Sequence, residues 1–109
     1  MKAALFAVAV LVGGLCQTAA AAGEDMTTTI RDHRFEPAEI VVPAGQKFKL
    51  LVTNQDATPE EFESRALDIE KLIPGGATAT ITIGPLDPGR YDFGGEFHED
   101  SAKGAIVAK

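Results

Sequence analysis

The sequence predicts an all-β sandwich of about seven or eight short strands. Three observations carry that prediction. β-branched and alternating apolar segments recur from Thr27 to Ala108. Turn-forming clusters separate them, such as Pro43-Ala44-Gly45, Pro74-Gly75-Gly76 and Asp87-Pro88-Gly89. Their spacing of about 8–12 residues is that of sandwich strands. No segment past the N-terminus shows a sustained helical period in its apolar residues.

Taken in order, Thr27-Thr28-Thr29-Ile30 is β-branched and starts the first strand. Asp32-His33-Arg34-Phe35 is expected to continue it until Pro37. Glu39-Ile40-Val41-Val42 is a second short strand. Phe48, Leu50 and Val52 alternate with Lys47, Lys49, Leu51 and Thr53, the period of a half-buried strand. Asn54-Gln55-Asp56 closes it. The acidic segment Glu60 to Arg65, after Pro59, is expected to be loop with at most one helical turn. Leu67 and Ile69 alternate with Asp68 and Glu70 as a strand across the surface. Thr78 to Ile83 should face Ile81 and Ile83 inward and Thr80 and Thr82 outward. Tyr91 and Phe93 alternate with Arg90 and Asp92, and Gly104 to Ala108 is the last strand.

Residues 1–22 read as a secretory signal peptide: Lys2, an apolar run from Ala3 to Leu15, and Ala20-Ala21-Ala22 before Gly23. The run is shorter than the roughly 20 residues of a membrane span. Cys16 follows Leu15, whereas lipid attachment needs a small residue there. The expected mature domain, residues 23–109, is periplasmic, has no membrane span and contains no cysteine. It therefore has neither a disulfide nor a thiolate ligand, although export takes it to an oxidising compartment. Without Lys2 it carries nine Lys and Arg against 16 Asp and Glu, a net charge of −7. That excludes nucleic-acid binding through cationic contacts to phosphate. It fits cation binding, a basic partner or simple solubility. No nucleophile triad and no glycine-rich phosphate loop is present.

Two acidic segments echo one another: Glu61-Phe62-Glu63 and Glu96-Phe97-His98. In extended chain, successive side chains point to opposite sides. Each phenylalanine would then anchor in the core while its two polar neighbours face the other way. If the segments lie side by side, Glu61, Glu63, Glu96 and His98 converge. Three carboxylates and an imidazole suit iron, manganese, zinc or Cu(II) and do not suit Cu(I). Clustered carboxylates raise one another's pKa, and a cation removes that cost. Glu60, Glu99 and Asp100 would lie just outside, as outer ligands or a negative funnel. His33 would share the face of Phe35 if the strand were regular, as a ligand or a hydrogen-bonded surface histidine. The alternative for the acidic loops is solvated surface.

The pattern Phe35-x-Pro37-x-x-Ile40-x-Val42-x-x-Gly45, then Asn54, then Pro88-Gly89-x-Tyr91-x-Phe93, His98 and Gly104, resembles the cupredoxins. The resemblance spans Thr27 to Lys109 and implies a Greek-key β-sandwich with a metal ion. His98 matches the family's C-terminal histidine. Gly95 stands at its cysteine and Ser101-Ala102 at its methionine, and Pro59 to Glu63 replaces the histidine expected after Asn54. A blue-copper centre is therefore not expected. The two acidic segments are similar to those of EfeO-type cupredoxin domains, which accompany bacterial iron permeases. That resemblance implies a periplasmic accessory of iron import, binding copper or iron, ferroxidase-like at most. Its implied partners are the permease and other uptake components, and a homodimer is compatible with it. A non-redox metal carrier and a metal-free interaction module are the alternatives.

Overall fold

The computed structural model describes residues 25–109; the expected signal peptide and its cleavage point lie outside them. Among the described residues nine strands run in order: β1 (Asp25–Arg31), β2 (Arg34–Glu36), β3 (Glu39–Val42), β4 (Phe48–Asn54), β5 (Glu60–Ser64), β6 (Ile69–Ile73), β7 (Thr78–Ile83), β8 (Gly89–Gly95) and β9 (Lys103–Ala108). One 3-10 turn, Glu96–His98, lies between β8 and β9. Two sheets form, with orders β2-β1-β4-β7 and β3-β9-β8-β5-β6. The chain crosses between them repeatedly, and two pairings, β1 with β4 and β3 with β9, are parallel.

Alternation sets the two faces. Phe48, Leu50 and Val52 of β4 are buried, as are Ala79, Ile81 and Ile83 of β7. Thr78, Thr80 and Thr82 face solvent, as the sequence predicts. Phe35, Phe62 and Phe93 pack together where the sheets meet. Phe35 stands edge-on to Phe93 with ring centroids 4.9 Å apart, and Phe62 stacks on Phe93 at 4.9 Å. Such contacts add to the burial of large apolar area, and they fix β5 against β8.

Three elements differ from the sequence expectation. The first strand does not run through to Phe35. Asp32 and His33 take φ of 52° and 60°, the left-handed region that Asp and His enter more readily than most residues. They form a two-residue turn between β1 and the short β2. Residues 60–64 are a strand and not a helical turn: glutamate-rich composition lowers β propensity, but burial of Glu60, Phe62 and Ser64 on alternate positions overrides it. The surface strand begins only at Ile69, because Asp68 sits at φ 57° in the β5–β6 turn. These two added strands bring the number to nine.

Candidate metal centre

Placement of the acidic residues begins with Asn54, fully buried at the end of β4. Its side-chain amide donates to the carbonyls of Thr58 at 2.9 Å and Ile73 at 3.1 Å, and its oxygen accepts the Asp56 N–H at 3.0 Å. That knot fixes the loop leading into β5. β5 then alternates, and the two adjacent glutamates Glu60 and Glu61 point to opposite faces of the sheet.

Glu60 faces inward and is 1% exposed. A buried carboxylate needs partners, and it has them. Oε1 accepts the N–H groups of Glu61 at 3.0 Å and Phe97 at 2.9 Å, while Oε2 lies 2.5 Å from Nδ1 of His98. The His98 ring lies flat against that of His33, centroids 3.5 Å apart and 13° from parallel. Asp56 accepts the N–H groups of Asp32 at 2.8 Å and His33 at 3.0 Å, and so holds the turn that delivers His33. Ser101 Oγ donates to the His33 carbonyl at 2.7 Å, tying the loop before β9 to the same turn. Burial opposes the charged form of Asp56. The two N–H groups and the neighbouring His33 and His98 outweigh it and hold its carboxyl below the usual value.

On the outer face, Glu61, Glu70 and Glu96 each offer an oxygen within 4.8 Å of the others. Glu61 raises the pKa of Glu96, first through a shared hydrogen bond and then through its charge; desolvation adds to this and Arg65 opposes it. Glu63 lies on the same face, opposite Glu70 in the β5–β6 register.

The structure thus brings Glu61 and Glu96 together as the sequence suggests, but divides the rest of the expected set. His98 lies with Glu60 and not with Glu96. The reason is local: residues 96–98 form a 3-10 turn, and at three residues per turn side chains two apart diverge. Glu60, expected outside, is the inward residue of β5. Glu63 stands beside the outer trio. Glu99 lines an open depression with Glu63, Arg65 and Glu96, and Asp100 is exposed in the following turn. His33 does join His98, delivered by the turn and not by the face of Phe35. Glu70 was missed; reading β5 as a strand paired with β6 would have placed it opposite Glu63.

A thiolate copper centre does not fit these residues. Gly95 has no side chain, and a Cβ built there would lie 2.6 Å from Cδ of Glu60 and 2.8 Å from Cβ of Ala102. Glu60 occupies the space a cysteine side chain would need. Ser101 is engaged by the His33 carbonyl, and Ala102 is buried aliphatic surface.

Residues 3–108 match the family model of the cupredoxin-like domain. A relative 41% identical over 83 residues is the uncharacterized protein RP394 of Rickettsia prowazekii (strain Madrid E). The match covers 76% of this chain and 66% of that protein, so the chain spans just under two thirds of the relative's length. Among solved structures, auracyanin A, a "blue" copper protein from Chloroflexus aurantiacus, superposes with a TM-score of 0.70 at 16% identity, covering 80% of this chain and 99% of that one. The purple cupredoxin from Nitrosopumilus maritimus gives 0.61 at 15% identity, covering 77% and 99%. Amicyanin from Paracoccus versutus gives 0.63 at 14%, covering 79% and 82%. At such identities the likeness shows the fold. With the family match across nearly its whole length, the chain belongs to the cupredoxin-like domain family, and it does so without the thiolate position of a blue-copper site.

Proposed function

We propose that this chain is an exported metal-handling accessory of bacterial iron import, which takes Fe(II) on Glu61, Glu70 and Glu96 and assists its oxidation or hands it over. The observation that carries the reading is the outer trio, three carboxylates within 4.8 Å of one another with Glu96 pushed toward its neutral form by Glu61. A cation between them removes that repulsion. Ligand oxygens around a six-coordinate ion stand about 3–4 Å apart, so accessible side chains need little movement to close on one. An all-oxygen set is hard and favours Fe(III) over Fe(II). It therefore lowers the potential of the bound ion and assists loss of its electron. Glu63 and Glu99 add negative charge nearby, which attracts cations. The EfeO-like acidic segments support the iron permease system as partner.

The test is Fe(II) titration under anaerobic conditions with the wild type and Glu61→Gln/Glu96→Gln. At least a tenfold loss of affinity is expected, and unchanged binding in the double variant removes the site. In air, where dioxygen accepts the electron, the wild type should speed Fe(II) loss. Binding without acceleration identifies a non-redox carrier with the same ligands.

A further inference from the structure

The outer trio stands beside a cation that its ligand chemistry does not use. We infer that Arg65 is a built-in counter-charge at this site, which weakens its hold on a trivalent ion more than on a divalent one and so eases release of iron once it is oxidised. The inference rests on the reading of Glu61, Glu70 and Glu96 as the iron site.

Position is the first argument. Glu61 and Glu63 take the outward positions of β5, and Arg65 follows directly after its last residue, Ser64. One open depression is lined by Glu63, Arg65 and Glu70. A second is lined by Glu63, Arg65, Glu96 and Glu99. Arg65 therefore borders two members of the trio. Gly94, the partner of Glu63 in the β5–β8 register, places no side chain in the second depression.

Availability is the second. Among the described residues, Arg31 pairs with Glu36, and Arg90 pairs with both Glu39 and Asp92. Arg65 is exposed and belongs to none of the ion pairs found there. Its guanidinium keeps its charge at every pH of interest. Reach is the third. The charge of Arg65 acts on Glu96, against the rise that Glu61 causes. A charge felt at a ligand oxygen is also felt by an ion bound to that oxygen.

The consequence follows from Coulomb's law, in which repulsion scales with the charge of the bound ion. Carboxylates alone hold Fe(III) more firmly than Fe(II), so a cluster that assists oxidation also retains its product. Arg65 offsets part of that attraction, and the loss falls half again as hard on the trivalent ion as on the divalent one. Iron oxidised at the trio, its electron passing to dioxygen, is then held less firmly than the carboxylates alone would hold it. Arg65 touches no ligand bond. It sets selectivity through its charge.

The experiment is calorimetric titration of the purified protein with Mn(II) and with Tb(III), hard ions that keep their valence, at one pH and low ionic strength. Arg65→Met removes the charge and Arg65→Lys keeps it. Both change an exposed turn residue, so both should melt as the wild type does by circular dichroism. Interactions between exposed charges are worth about twofold per unit charge. Arg65→Met should therefore tighten Mn(II) about fourfold and Tb(III) about eightfold, while Arg65→Lys stays within about twofold of the wild type for both. The gain should shrink as salt is added, since exposed charges are screened. It should vanish when Arg65→Met is combined with Glu61→Gln/Glu96→Gln. Wild-type protein that binds neither ion removes the outer site itself, and this role with it. If the wild type binds both, the role of Arg65 alone is overturned by unchanged affinities in Arg65→Met, by equal gains for the two ions, or by Arg65→Lys behaving as Arg65→Met does.

Discussion

At the scale of single residues, Glu60 and Gly95 explain one another. The carboxylate lies where a side chain at 95 would begin. Gly95→Cys must therefore crowd Glu60 or push it from its partners, and overpacking of this kind costs about 1–3 kcal/mol. Urea unfolding should show that loss. Glu60→Ala should be costlier, because it leaves the N–H groups of Glu61 and Phe97 without acceptors, at about 1–3 kcal/mol for each unsatisfied group. Asp56 makes a pH prediction. Its folded pKa is lowered, so its contribution is present above the unfolded value of about 4 and is lost as pH falls through the lower folded value. Asp56→Asn should be less stable at neutral pH and lose less on acidification, which melting curves from pH 2 to 7 will show. Glu60 and Asp56 are visible in the sequence as acidic residues, but the inward placement of Glu60 and the turn-holding role of Asp56 are not. Glu60 and Glu61 are identical in type, and only burial of Phe62 decides which faces in.

At the scale of elements, the period-2 strands β4, β7 and β8 were legible because apolar residues occupy alternate positions along them, Leu51 being the one apolar residue of β4 at an outward position. β5 was not, since its inward residues are Glu60, Phe62 and Ser64, and two of the three are polar. The 96–98 segment was misjudged for a related reason: alternation assumes extended backbone, and a 3-10 turn redirects His98 toward Glu60. Asn54 is the element-scale keystone, joining the end of β4 to the loop before β5 and to the end of β6. Asn54→Ala should lower stability by about 1–3 kcal/mol and loosen the β4–β5 connection. Faster amide exchange at Glu60 and Glu61 than at Leu50 and Val52 is the accompanying sign.

For the whole molecule, the sandwich was legible from turn spacing and strand length, whereas its strand order was not. Alternation says which residues face inward but not which strand lies beside which, and parallel pairs such as β1 with β4 join segments far apart in sequence. The charge of the chain acts at this scale too. An excess of carboxylates draws cations and cationic partners from a distance, and salt screens that attraction beyond about 8–10 Å. The association rate of Fe(II) with the outer trio should fall as ionic strength rises, measured by stopped flow at fixed pH. An ion that binds only the folded state at 100 times its Kd adds about 2.7 kcal/mol, enough to raise the melting temperature visibly.

The overlap between Glu60 and the space above Gly95 also constrains how such a protein can change over generations. Acquiring a cysteine at 95 while Glu60 remains produces a crowded intermediate. Shortening Glu60 first leaves two backbone donors stranded. Neither single step is neutral, so a buried glutamate at 60 and a side chain at 95 exchange most readily when both positions change close together in time. The two arrangements are then separate peaks joined by a narrow ridge, although the sandwich beneath them is the same.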